Sequence, residues 1–124
     1  MKFFACLVFA TVAACSTTSN DCVGNDCQCA AGQSCMETCA PGTPCHVQCA
    51  PNEPCDVACV AGQNCHVECS TSTSCKVDCA AGTDCHVTCP PSGCTVRDIS
   101  AVDTEVTCGN FGEATITGTT ATCP

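Results

Sequence analysis

The sequence predicts an all-β repeat, a flattened β-solenoid built from ten-residue units with two units to each turn. Three observations lead there. From Cys35 to Cys89 a five-residue block that begins and ends in Cys alternates with a five-residue spacer, so CHVQC, CDVAC, CHVEC, CKVDC and CHVTC recur on a fixed beat. Inside each block the two Cys and the central Val occupy alternate positions, the period of a short strand with one buried face. The spacers are rich in Gly, Pro, Asn, Ser and Thr, which is turn chemistry, and Val at each block centre with Pro or Gly in most spacers speaks against a helix.

Taken in order, residues 1–14, MKFFACLVFATVAA, carry one charge at Lys2 followed by an unbroken apolar run ending in small residues. That is the pattern of a secretory signal peptide, too short for a transmembrane span. The run ends Val12-Ala13-Ala14-Cys15, which resembles the lipobox of bacterial lipoproteins. The resemblance implies cleavage before Cys15 and lipidation of that cysteine. With Ser16 rather than Asp next, it also implies the outer membrane of a two-membrane cell. Residues 15–26 then read as a lipidated Cys and a polar tether.

The Cys-rich repeat occupies residues 27–94, with central apolar residues Val47, Val57, Val67, Val77 and Val87. Cys27-Gln28-Cys29 and Cys35–Cys39 are degenerate first copies, the second with Glu37 at the Val position, as expected of the end of a repeat array. One spacer residue is lost at Pro90-Pro91-Ser92-Gly93. The beat then resumes as Val96, Val106 and Ile116, so residues 95–124 read as a Cys-poor continuation and a C-terminal cap.

After residue 14 there is no Leu, Trp or Tyr, and Phe111 is the only aromatic, so a conventional core of large side chains is out of reach. All twelve acidic residues lie in that part, against Lys76 and Arg97 alone, a balance that disfavours nucleic acid as a partner. Of twenty cysteines, Cys6 falls in the signal and Cys15 at the lipid site; an even set remains in an exported chain, which implies disulfides.

The two Cys of an extended block are about 13 Å apart, beyond the reach of a bridge, whereas a turn brings together the two that flank a spacer. The expected pairs are Cys22–Cys27, Cys29–Cys35, Cys39–Cys45, Cys49–Cys55, Cys59–Cys65, Cys69–Cys75, Cys79–Cys85, Cys89–Cys94 and Cys108–Cys123. The competing scheme joins equivalent cysteines of adjacent copies.

An antiparallel β-meander with disulfides at its hairpin bases is the alternative architecture, but it leaves the Cys/Val face uncovered. A double period favours the solenoid: His46, His66 and His86 recur every twenty residues, as do Gly42, Gly62 and Gly82. In a solenoid these His stack at about 4.8 Å along one face. The pattern resembles the cysteine-repeat lipoproteins of myxobacteria and related bacteria, which have no assigned function. It is similar, more distantly, to the disulfide-laddered antifreeze solenoids of insects, but the Thr-x-Thr pairs those carry outward are replaced here by His/Gln, Asp/Ala, His/Glu, Lys/Asp and His/Thr.

No Gly-x-Ser-x-Gly elbow, no C-x-x-C and no phosphate-binding Gly loop is present, so neither an enzyme nor a cofactor is expected. The expectation is a cell-envelope structural or surface-interaction protein, with the membrane met through a lipid anchor. The rival is envelope metal binding, through His46, His66 and His86 or through reduced cysteines.

Overall fold

A computed structural model of the chain describes the backbone of residues 20–22, and residues 27–60, 64–81, 83–99, 104–109 and 112–123 in full. Its strands in chain order are β1 (Asn20–Cys22), β2 (Cys27–Gln28), β3 (Cys35–Cys39), β4 (Cys45–Gln48), β5 (Pro54–Cys59), β6 (Asn64–Glu68), β7 (Ser74–Cys79), β8 (Asp84–Thr88), β9 (Cys94–Arg97), β10 (Thr104–Thr107), β11 (Thr115–Thr117) and β12 (Thr120–Thr122).

From β1 to β11 successive strands alternate between two sheets, and β12 joins β11 in the same one. One sheet has the order β1-β3-β5-β7-β9-β12-β11, the other β10-β8-β6-β4-β2. Pairing from β1 through β10 is parallel and in register, with Cys45 beside Cys65, Cys65 beside Cys85, and Val57 beside Val77. The chain is therefore a β-solenoid of about four turns. The meander is excluded by this parallel pairing: from β1 through β10, strands adjacent in sequence belong to opposite sheets, because only a second sheet covers the Cys/Val face.

The interior is one Val deep on each side. Val47, Val57, Val67, Val77, Val87 and Val96 are all 0–2% exposed, and the block cysteines beside them are buried as well. Burying a Val side chain contributes about 1.5–3 kcal/mol, an upper bound since unfolded chains are not fully extended. Disulfides close the two edges of the coil. Across the five-residue spacers the bridged Cα atoms are 5.5–6.3 Å apart, a separation the spacer turns provide.

The spacers stack as the strands do. Gly42 (φ 81°) and Asn52 (φ 61°) take the left-handed conformation at the spacer centre, where Gly is strain-free and Asn is the best-tolerated substitute. Ser72 at the equivalent place solves the turn differently: its side chain is buried and its hydroxyl donates to the Ala50 carbonyl one turn away. Thr83 donates likewise to the Val60 carbonyl and Ser92 to that of Thr73. Backbone bonds such as Asn52 N–H to Thr71 O and Thr73 N–H to Glu53 O tie loop to loop.

The two ends depart from the beat. At the N-terminal end Glu37 stands in register with Val57, in the row that Val77 and Val96 continue, and burial pushes its carboxyl above the ordinary 4.5. At the other end Val96 is fully buried and Val106 half-buried, as the beat requires, but Ile116 is 61% exposed. The expectation of a third further copy at Ile116 is corrected here. The turn at Gly118–Thr119 folds β12 back antiparallel between β9 and β11, so Ala121, not Ile116, lies beside Val96 and fills the core position.

Candidate functional site

With the inward positions of β4 to β9 occupied by Val and Cys, the chemistry these strands offer is what they turn outward. On the sheet containing β4, β6, β8 and β10, in-register pairing lines up His46, His66, His86 and Glu105 in one row. Gln28, Gln48, Glu68, Thr88 and Thr107 form the parallel row two residues along. The amide groups of Gln28 and Gln48 are joined at 3.3 Å.

Imidazole spacing follows strand spacing. The rings of His46 and His66 stack with centroids 4.8 Å apart, while His66 and His86 are tilted at 6.3 Å. His86 is flanked by two carboxylates. Its Nε2 is 3.0 Å from Asp84 Oδ1, and its Nδ1 is 3.2 Å from Glu105 Oε2. The side chains of His86, Asp84 and Glu105 are 48%, 47% and 71% exposed, so all three can reorient toward a ligand. The structure brings together the three His singled out from the sequence. Glu105 was not singled out, and its signal was available: it is the x before Val106 in EVT, the position His86 holds before Val87.

The opposite face is built from ion pairs between neighbouring turns. Lys76 Nζ lies 3.4 Å from Asp56 Oδ2. Arg97 makes a two-pronged contact with Asp78, Nε to Oδ1 at 2.5 Å and Nη2 to Oδ2 at 2.7 Å. The hydrogen bond to Asp78 holds the Arg97 proton more firmly than usual. Both cations are thereby engaged with acids of this same face.

Among the described residues, the trios of metal-capable side chains with ligand atoms within 4.8 Å of one another are all cysteines, such as Cys39, Cys45 and Cys65, or Cys59, Cys65 and Cys85. Their sulfurs are engaged in bridges: Cys29–Cys35, Cys39–Cys45, Cys49–Cys55, Cys59–Cys65, Cys69–Cys75, Cys79–Cys85, Cys89–Cys94 and Cys108–Cys123. A bridged sulfur is not a thiolate, so these trios become ligands only after reduction. Cys27 is disulfide-bonded, but the side chain of Cys22, its expected partner, lies outside the described residues. Cys15 and the signal-like segment lie outside them too.

Bridges in this number are those of a chain that matures in an oxidising compartment, consistent with export. Among the described residues no helix is long and apolar enough to cross a membrane. Comparison with protein-family models, curated proteins and solved structures returns no match for this chain.

Proposed function

We propose that the protein is a non-catalytic scaffold of the cell envelope, held by a lipid on Cys15 and displaying the outward rows of its solenoid to a protein or surface partner. The observation that supports this reading is the stapled coil itself. Its interior holds Val and Cys, its edges are closed by disulfides, and its two broad faces carry polar residues in straight, in-register rows. Such a body offers stiffness and a repeating surface. The polar residues between Cys15 and β1 supply a short tether between the anchor and the repeat, and Ser16 after the lipidated cysteine favours the outer membrane.

The test is the intact mass of the protein extracted from membranes, taken with and without reductant under alkylation, beside a Cys15→Ala variant. The reading expects an acylated Cys15, no alkylatable thiol before reduction, and release of the variant into the soluble fraction. An unacylated mature chain, or a Cys15→Ala variant that fractionates with membranes as the parent does, overturns the anchor. Thiols that react before reduction overturn the staple.

A further inference from the structure

We propose that the row His46–His66–His86–Glu105 binds borderline divalent transition-metal ions of the zinc class, each held by neighbouring members of the row and clamping the turns that carry them. The inference is independent of the lipid anchor, since it concerns the folded repeat alone.

Along the row, one neighbouring pair has the ring separation of two imidazoles on a shared ion, and another has the ligand-to-ligand distance. Two imidazoles on one tetrahedral ion, each at the usual Zn–N length of about 2.0–2.1 Å, have ring centroids about 5 Å apart. His46 and His66 are at 4.8 Å with their planes 28° apart, so both rings must turn to aim a nitrogen at one ion, and His66 and His86, at 6.3 Å, must also draw closer. A nitrogen and an oxygen ligand of one tetrahedral ion lie about 3.3 Å from each other. His86 Nδ1 and Glu105 Oε2 are 3.2 Å apart.

The donor set is also the right kind. Neutral imidazole with carboxylate suits zinc-class ions, whereas a hard ion such as magnesium prefers all-oxygen sites. Asp84 Oδ1, 3.0 Å from His86 Nε2, can accept from that nitrogen and orient the ring with Nδ1 toward the ion. The in-register parallel sheet supplies preorganisation, because stapled turns fix the Cα positions from which these side chains project. Gathering the ligands then needs side-chain rotation on an exposed face and no backbone movement.

His66 is the hub, since it neighbours His46 on one side and His86 on the other. His66→Ala is therefore expected to cost more than loss of either end of the row. The experiment is calorimetric titration of the purified full-length oxidised protein with zinc chloride, after iodoacetamide has blocked any free thiol. Parallel titrations use His66→Ala, His46→Ala, Glu105→Gln and the triple variant His46→Ala/His66→Ala/His86→Ala, each first checked for parental circular dichroism.

The expected result is saturable binding to the parent, weakened more than about tenfold by His66→Ala and about three- to tenfold by His46→Ala or Glu105→Gln. The triple variant is expected to show no saturable binding. Three results overturn the proposal: no saturable binding to the parent below about 1 mM zinc, undiminished binding by the triple variant, or binding that emerges only after the disulfides are reduced.

Discussion

The stapled coils and the C-terminal cap draw on the same repeat and end up differently packed. Between Cys35 and Val96 each strand from β4 onward places a Val in the interior at 0–2% exposure, with bridged cysteines at both edges of β4 to β8. Between Thr104 and Cys123 the bridge Cys108–Cys123 spans fifteen residues, Val106 is only half-buried, and Ile116 faces outward. Beyond β10 strand pairing also changes, from parallel to an antiparallel hairpin. The difference teaches what sustains a core one side chain thick. Apolar burial alone is too small, and short covalent loops at every turn supply the remainder. Where those loops stop, the chain turns back on itself to cover the end of the stack.

Complete reduction with alkylation should break the comparison outright. The coils are expected to lose their strand signal in circular dichroism at room temperature, because each short bridge contributes about 2 kcal/mol in the chain-entropy estimate and all are lost together. A reduced chain that keeps its parental spectrum would mean that Val burial suffices.

Removing one rung sharpens the contrast. Cys59→Ser with Cys65→Ser should cost about 2–4 kcal/mol in denaturant unfolding and loosen hydrogen-exchange protection in the turns on both sides. Cys108→Ser with Cys123→Ser should expose amides of β10 to β12 and leave β4 to β7 protected. Equal loss of protection throughout the molecule in both variants would show that cap and coil unfold as one unit.

Smaller effects separate the two interiors. Val67→Ala, at a fully buried site, is expected to destabilise by about 2 kcal/mol, while Ile116→Ala should change stability by less than about 0.5 kcal/mol. Gly109 marks where the cap region abuts the coil: a Cβ there would lie 2.7 Å from Pro91 N and 2.8 Å from Cys89 O, both backbone atoms. Gly109→Ala should therefore cost about 1–3 kcal/mol.

Glu37 gives a pH test at the other end of the stack. Burial raises its carboxyl above 4.5, so the folded state holds that proton to higher pH than the unfolded chain does. The stabilising contribution is present below 4.5 and is lost as pH rises through the folded value. Glu37→Gln should consequently gain in melting temperature over the parent at pH 7 and lose that advantage at pH 4. A difference independent of pH would remove the charge from the explanation. The smallest effect expected is that of Arg97→Ala, a slight drop in melting temperature that shrinks further at high salt, as suits an exposed ion pair.

Most of the coil was legible in the residues. Alternation of Cys, Val and Cys marked the strands, the twenty-residue recurrence of His46, His66 and His86 marked the turn of the solenoid, and the reach of a disulfide excluded bridges within a block. The His row was legible for the same reason, because in-register parallel strands convert a sequence period directly into a spatial row. Its continuation to Glu105 was harder to see, since the spacer shortened at Pro90–Gly93 moves that residue off the twenty-residue count while the Val beat keeps it in place.

By itself, then, the sequence determined the strand period, the bridgeable pairs and the absence of a large-residue core, since these depend on local geometry and composition. Only the tertiary structure decided that β12 and not β11 lies against β9, that Ala121 takes the core position expected of Ile116, and that Lys76 and Arg97 are spent on Asp56 and Asp78 one turn away. Those outcomes depend on which strand reaches the open edge of the stack and on contacts between turns about twenty residues apart, which no local pattern records.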